Sequence, residues 1–151
     1  MTDLPKPAQN RLDTRALRRT PGFMIRLVQL KFFDGFYEVF GDLGLSPAKY
    51  AVLTLVRDNP GVPPSSLAAL LRLRLPNLTK LLNELEAAGL LKRKRSKTDR
   101  RAVALFLTAQ GEDLIQRAVA LTEPYNRQML APLDANERSV LTQLLNRIVS
   151  L

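Results

Sequence analysis

The sequence predicts a mainly α-helical protein with one two-stranded β-hairpin set among its helices. Three observations predict this. Apolar residues recur at spacings of three and four along most of the chain, which is the period of helices packed on a core. Two helical segments near the middle are separated by only a short turn. Directly after them the apolar period changes from 3.6 to 2, as it does where strands begin. Together these features indicate the α+β winged-helix class of fold.

Length and composition limit what the chain can be. A chain of 151 residues is the size of one domain and can bury a core without disulfides. Apolar residues make up 46% and charged residues 25%, as in soluble globular proteins. No apolar run approaches the roughly 20 residues that span a bilayer, and the N-terminus has no hydrophobic signal core. We therefore expect a cytoplasmic protein with no membrane partner.

The missing residue types exclude several kinds of chemistry. The chain has no cysteine, histidine or tryptophan. This rules out disulfides, thiol redox sensing, imidazole or thiolate metal sites and every nucleophile–histidine mechanism. The carboxylates are scattered, and there is no glycine-rich phosphate loop. We expect no cofactor, no metal site and no enzymatic activity.

Positive charge is concentrated in two segments. The net charge of +9 comes from 23 basic and 14 acidic residues. Residues 71–101 hold ten basic and three acidic side chains, and residues 1–31 hold seven and two. Such a local excess inside folded chain is typical of a surface that binds a polyanion, although a solvated basic face has the same composition.

The first 45 residues predict a flexible basic segment, residues 1–19, followed by a long helix. Thr20 is the expected N-cap of this helix, and Pro21 fits its first position. The helix should end near residues 41–44, where glycines occur. Its apolar residues are Phe23, Leu27, Leu30, Phe33, Phe36, Tyr37 and Phe40.

Three shorter helices follow. Residues 46–47 start the second predicted helix and residues 59–61 end it. Residues 63–64 start the third, and the fourth covers about residues 75–88, with Gly89 as a left-handed end. The inward-facing residues of the third and fourth helices are predicted to be Leu67, Ala68, Leu70, Leu71, Leu78, Leu81, Leu82 and Leu85. The spacing of these two helices is that of a helix-turn-helix.

The hairpin consists of two predicted strands, residues 90–95 and 102–108, joined by the polar tip 96–101. Strand alternation places Lys92 and Lys94 on the face opposite to that of the arginines of the same strand.

Two further helices complete the chain. Thr108 should cap the fifth helix, and Pro124 should kink or interrupt it. Asp134 and Glu137 have the spacing of a capping box at the start of the last helix. That helix carries an apolar stripe of Leu141, Leu144, Leu145 and Ile148.

Motifs from Pro76 to Gly111 carry a family resemblance. The fourth predicted helix contains Pro76-Asn77-Leu78-Thr79-Lys80-Leu81-Leu82 and continues as Leu85-Glu86-Ala87-Ala88-Gly89-Leu90. Asp99-Arg100-Arg101, Leu105-Phe106-Leu107-Thr108 and Gly111 follow. Over roughly residues 21–151 the sequence resembles the MarR family of bacterial transcription regulators. Two positions depart from the family pattern: Arg72, where the family often has glycine, and Arg74, where it often has a Ser or Thr cap.

The resemblance implies a homodimer that binds double-stranded DNA at a pseudo-palindromic operator, and repression is the usual outcome. It divides the chain into a flexible basic segment (1–19), an N-terminal dimerisation helix (20–45), a winged helix-turn-helix DNA-binding domain (46–108) and C-terminal dimerisation helices (109–151). Many members of the family release DNA when a small aromatic or phenolic molecule enters a pocket between the dimer and DNA-binding parts.

Candidate DNA-binding residues lie on the third and fourth helices and on the wing. Asn, Lys and Thr side chains can contact base edges, and Ser and Arg can contact phosphates. By resemblance, Arg100 is the candidate for insertion into the minor groove, and Asp99 would hold the wing in shape by pairing with Arg101 or Arg93. The full set is Ser65, Ser66, Arg74, Pro76, Asn77, Thr79, Lys80, Asn83, Arg93, Arg95, Lys97, Arg100 and Arg101.

Aromatic residues of the first helix could line an effector pocket, although such a stripe is more often core or dimer interface. The candidates are Phe32, Phe36 and Tyr37. Two other functions stay open on the sequence alone. One is a ligand-independent DNA-binding or architectural protein, and the other is a winged-helix adaptor that binds proteins.

Overall fold

The computed structural model of the chain describes residues 12–95 and 103–149, which contain seven α-helices, a 3₁₀ turn and two strands. Their order is α1 (Arg15–Arg18), α2 (Pro21–Phe40), the 3₁₀ turn (Gly41–Leu43), α3 (Pro47–Asp58), α4 (Pro64–Leu70), α5 (Leu75–Ala87), β1 (Leu91–Arg95), β2 (Val103–Leu107), α6 (Ala109–Met129) and α7 (Ala135–Val149). The predicted mainly α-helical winged-helix class is confirmed.

The start of the chain differs from the sequence prediction in two ways. The four-residue helix α1 lies within the segment expected to be flexible, of which residues 1–11 fall outside the described part. Thr20 precedes α2 but does not cap it through its side chain, because its hydroxyl donates to the carbonyl of Ala16 instead. Pro21 occupies the first helical position as predicted.

Helix α2 packs against α6, and the aromatic residues between them belong to the single hydrophobic core. Phe36 stacks on Phe40 with 4.3 Å between ring centroids, and the Tyr125 ring meets both edge-on. The Tyr125 hydroxyl donates to the carbonyl of Phe32 at 2.7 Å. Burial raises the pKa of Tyr125 above its ordinary value of 10.0, since the ionised form would lose hydration.

The predicted helix-turn-helix is formed by α4 and α5. Leu67 and Ala68 are buried as expected, but the inward placement of Leu70 is wrong, because 49% of its side chain is exposed. Leu70 lies about 200° around the helix from Ala68, away from the core. In the turn, Arg72 adopts a left-handed backbone with φ of 50°.

The core side of α5 and of the wing is apolar. Leu78, Leu82 and Leu85 of α5 are buried, as predicted, and Leu81 is half-buried. The antiparallel strands pair from Leu91 with Leu107 to Arg95 with Val103. The other edge of β2 is also bonded: the backbone N–H of Gly61 donates to the carbonyl of Leu105, and Leu105 donates to Val62.

The starts of α6 and α7 confirm the predicted caps. The Thr108 hydroxyl accepts the backbone N–H of Gly111 at 3.1 Å. Asp134 and Glu137 accept each other's backbone N–H at 2.8 and 2.9 Å, which is a complete capping box. Pro124 was predicted to kink or interrupt α6; the interruption is wrong, because α6 continues through it from residue 109 to 129.

Among the described residues, no single helix is long and apolar enough to cross a bilayer; α2 with its 3₁₀ turn and α3 meet that test only as a pair bent by 67°.

Candidate nucleic-acid interface

One face of α5 is polar and open to solvent. Its leucines point into the core, and the opposite face carries Asn77, Thr79, Lys80 and Asn83, all exposed. Amide, hydroxyl and ammonium groups of this kind can hydrogen-bond to base edges in a major groove, which is wide enough to admit an α-helix. The structure therefore places these four predicted residues on one surface.

The start of α5 has no side-chain cap. Arg74 holds the N-cap position in an extended conformation, with φ of −66° and ψ of 138°, and makes no capping hydrogen bond. The first turn of α5 contains no acidic residue. Pro76 has no N–H, and the N–H of Asn77 already donates to the carbonyl of Arg74 at 3.0 Å. What this turn offers an anion is therefore chiefly the positive end of the helix dipole and the charge of the exposed Arg74.

Three further predicted residues lie on the two helices of the helix-turn-helix, before and after the turn that joins them. Ser65 and Ser66 are exposed in the first turn of α4. Pro76 is exposed near the start of α5. Exposure leaves the two hydroxyls accessible to phosphate oxygens.

Arg93 connects the wing to α5. Its Nη2 donates to Oδ1 of Asn83 at 2.7 Å, and its Nη1 lies 3.4 Å from Oε2 of Glu86. The backbone N–H of Arg93 also donates to Oε1 of Glu86, at 3.3 Å. The side chain is 28% exposed. Arg93, predicted as a DNA contact, is thus already engaged within the protein, where it links β1 of the wing to α5.

Two carboxylates of α5 were missing from the predicted site. Besides Glu86, Glu84 lies 3.4 Å from Nζ of Lys49 and so links α5 to α3. The Glu86–Arg93 pair could have been predicted, because the acidic Glu86 lies near the end of α5 and the basic strand that contains Arg93 follows directly. The Lys49–Glu84 pair has no such local signal, because the two residues are far apart in the sequence.

The tip of the wing lies outside the described residues. This applies to Lys97, Asp99, Arg100 and Arg101, whose predicted roles stay predictions. The backbone of Arg95 pairs with Val103 at the end of β1.

The face of β1 opposite to Arg93 lies on the outside of the wing. Lys92 and Lys94 are there, as strand alternation predicts, and Nζ of Lys94 lies 5.0 Å from the centre of the Phe106 ring. They border a cleft of about 220 Å³, which we call the outer-wing cleft; its lining is Val56, Arg57, Pro60, Lys92, Lys94, Phe106, Leu107 and Glu112.

The three aromatic residues predicted to line an effector pocket are in different environments. Phe36 is buried in the core, Phe32 is half-buried against Tyr125, and Tyr37 is 53% exposed. None of the three lines the outer-wing cleft or the second, larger cleft of about 350 Å³ between the 3₁₀ turn, α5 and α6.

A helix-turn-helix whose second helix is fixed to a basic two-stranded wing defines a winged-helix DNA-binding protein. The chain belongs to the MarR family: residues 43–102 match the model described as MarR family. It is 34% identical to the HTH-type transcriptional regulator PecS of Dickeya dadantii over 115 residues, which are 74% of this chain and 69% of that relative.

Solved structures agree with the family assignment. The transcriptional repressor CouR bound to a 23-mer DNA duplex is similar with a TM-score of 0.87 and 30% identity, over 93% of this chain and 99% of that one. The PcaV transcriptional regulator of Streptomyces coelicolor, in complex with its natural ligand, has a TM-score of 0.77 and 25% identity over 89% and 94%. These relatives are named transcriptional regulators, so the family is one of regulators and not of enzymes.

Proposed function

We propose that the chain is a homodimeric repressor that binds a pseudo-palindromic operator in double-stranded DNA and releases it when a small aromatic molecule binds. In this proposal α5 of each protomer enters the major groove. The two half-sites lie one helical turn apart, about 34–36 Å. The protein acts in the cytoplasm, where bacterial DNA lies.

The observation that carries the proposal is the direct connection between the wing and α5, which in this proposal is the recognition helix. Arg93 of β1 bonds to Asn83 and Glu86 of α5, so the wing and the exposed face of α5 are parts of one surface. A surface with an exposed helix and an adjoining basic hairpin matches a major groove and its flanking minor groove.

We assign direct roles to residues of this surface according to their chemistry. Asn77, Thr79, Lys80 and the amide group of Asn83 contact bases or the groove walls, with Pro76 at the edge. Ser65, Ser66 and Arg74 contact phosphates. Arg93 positions the wing, and Asp99 shapes its tip. The remaining wing contacts are Arg95, Lys97, Arg100 and Arg101, of which Arg100 enters the minor groove.

The exposed apolar side chains support a dimer. On α7, Val140, Leu144, Leu145 and Ile148 are between 43% and 70% exposed, and on α2 Ile25 and Val28 are each 48% exposed. A single protomer leaves these side chains in water, whereas a second copy would bury them. The fully solvated face of a monomeric helix would carry polar residues instead.

The dimer is tested by sedimentation equilibrium. We expect the wild-type chain to sediment as a dimer and Ile148→Asp to shift it towards monomer. Gln143→Asp, on the exposed polar side of α7, is the matched control and should leave the dimer intact. A monomeric wild type at micromolar concentration would contradict the proposal.

The operator is tested by selecting bound duplexes from a random pool. A two-fold symmetric consensus with half-sites one turn apart supports the proposal. A consensus without symmetry contradicts the dimeric mode. Failure to enrich any sequence would favour the protein-binding adaptor.

Effector release is the part of the proposal that separates it from a ligand-independent DNA-binding protein. It draws support from PcaV, which is seen with its natural ligand. Aromatic acids should lower the affinity for the selected operator if the proposal is correct. If no aromatic acid changes that affinity, the ligand-independent function is favoured.

A further inference from the structure

Helix α5 carries one exposed leucine. Its first residue, Leu75, is 59% exposed, whereas its other four leucines are buried or half-buried. Isolated exposed leucines are common on protein surfaces, so exposure alone gives Leu75 no function. The residues that share its side of the helix supply the further evidence.

Leu75, Thr79 and Asn83 form one row along α5. They are spaced by four residues, so successive side chains lie about 40° apart around the helix, with Cβ atoms about 5–6 Å apart. All three are exposed. The row leads to the wing, because Oδ1 of Asn83 accepts the hydrogen bond from Nη2 of Arg93 at 2.7 Å. Leu75 therefore lies on the surface that the proposed function turns towards DNA.

The start of this row combines methyl groups with positive charge. Leu75 has two methyl groups and Thr79 has one, and the first turn of α5 contains no acidic residue. The exposed Arg72 and Arg74 directly precede it. Such a surface suits a polyanion that offers an apolar group. In the major groove of DNA, this group is the 5-methyl of thymine, which apolar side chains contact.

We propose that Leu75 is a specificity-determining residue that reads the 5-methyl group of one thymine in each operator half-site. This inference rests on the proposed function, because it requires α5 to lie in the major groove. The side chain of Leu75 packs on the methyl group and makes no hydrogen bond to the base. The base is therefore selected by the burial of apolar surface, and cytosine, which has only hydrogen at this position, is disfavoured.

The test replaces thymines of the selected operator by deoxyuridine, one position of a half-site at a time. Uracil pairs with adenine as thymine does and lacks only the 5-methyl group. Fluorescence anisotropy with the full chain should show about a fourfold loss of affinity at the position that Leu75 contacts, which corresponds to one buried methyl group. Thymines outside the half-sites are the control for any general effect of uracil on the duplex.

Substitutions then assign the contact. Leu75→Ala should bind the thymine and uracil operators equally, because the side chain that distinguishes them is gone. This lost preference is the diagnostic result, since a merely structural role would weaken binding to both operators alike. Leu70→Ala removes an exposed leucine of α4 and is the matched control, which should keep the fourfold preference. Thr79→Ser removes one methyl group, keeps the hydroxyl and should retain at least a twofold preference.

Two results would overturn this inference and leave the proposed function intact. In the first, the wild type binds the uracil and thymine operators equally at every position. In the second, Leu75→Ala keeps the wild-type preference for thymine, which would assign the methyl contact to another residue. If the chain selects no duplex from the random pool, the proposed function and this inference fail together.

Discussion

The starts of α5 and α7 are built in opposite ways. At α7, Asp134 and Glu137 satisfy each other's backbone N–H, so the helix begins with a complete capping box. At α5, Arg74 stands at the cap position without a capping bond, and Arg72 before it has a left-handed backbone that favours glycine. The uncapped start of α5 agrees with the phosphate contact that the proposed function assigns to Arg74. Because α2 and α4 also begin without a side-chain cap, the missing cap alone does not mark a ligand site.

The start of α6 is capped, like that of α7, and of the sites discussed here it should tolerate substitution least. A Cβ at Gly111 would overlap the backbone carbonyl of Leu90, which cannot move without the hairpin. Gly111→Ala should therefore lower the free energy of unfolding by more than about 3 kcal/mol. Urea denaturation measures this. Gly22→Ala in α2 has nothing within 4 Å and serves as the control, with an expected small gain in stability. A mild effect at Gly111 would show that α6 and the hairpin adjust easily.

Replacing Arg74 should move stability and DNA affinity in opposite directions. Arg74→Ser supplies a cap and should raise the free energy of unfolding by about 1 kcal/mol. It also removes a phosphate contact, so operator affinity should fall about tenfold and the salt dependence of binding should become shallower. Fluorescence anisotropy at several salt concentrations measures the operator affinity and its salt dependence. Operator affinity that rises with Ser at this position would refute the phosphate role.

Removing the capping box should act on stability alone. Asp134→Ala leaves the first-turn amide of Glu137 without its acceptor and should cost about 1 kcal/mol in thermal or urea unfolding. Operator affinity per folded dimer should stay unchanged if α7 is remote from DNA. If fully folded Asp134→Ala bound the operator more weakly than the wild type, the start of α7 would also affect DNA binding, and the contrast with α5 would fail.

Arg72→Gly tests the cost of the left-handed turn. Glycine adopts this backbone without strain, so the variant should be more stable by about 0.5–1 kcal/mol. Arg72→Gln retains the strain and removes the charge, and should leave stability unchanged. A destabilised glycine variant would show that the arginine side chain contributes more than its backbone costs.

The smallest expected effect is a pH dependence from Tyr125. Because burial raises its pKa in the folded state, the unfolded chain loses this proton first as the pH rises above 10.0. Stability should therefore be unaffected by Tyr125 below that pH and should decrease above it. The measurement is the difference in unfolding free energy between wild type and Tyr125→Phe, taken from pH 9 to pH 11 in roughly unit steps. This difference isolates the contribution of Tyr125 ionisation to the pH dependence. A constant difference would show that Tyr125 does not titrate in this range.

Local signals made most of the fold predictable. Proline at the first position of α2, α3 and α4, the caps before α3, α6 and α7, and the change of period at the wing all depend on neighbouring residues. Even the contrast between α5 and α7 is visible in the sequence, because Arg74 occupies a cap position.

Features that depend on tertiary contacts were not predictable. Arg93 could have contacted DNA or the protein, and only the register of β1 against α5 places it beside Asn83 and Glu86. Leu70 is apolar but faces solvent, because the direction of the α4 stripe depends on where the core lies. Pro124 was expected to kink or interrupt α6, yet the helix continues through it, and Tyr125 directly after it is buried in the core.

The backbone bonds between Leu105 and residues 61–62 have a consequence for solubility. An open sheet edge can recruit a strand from another molecule and start aggregation. On this side of the hairpin the donors and acceptors of Leu105 are already occupied by the chain itself. The loop after α3 thus protects β2 from non-native strand addition.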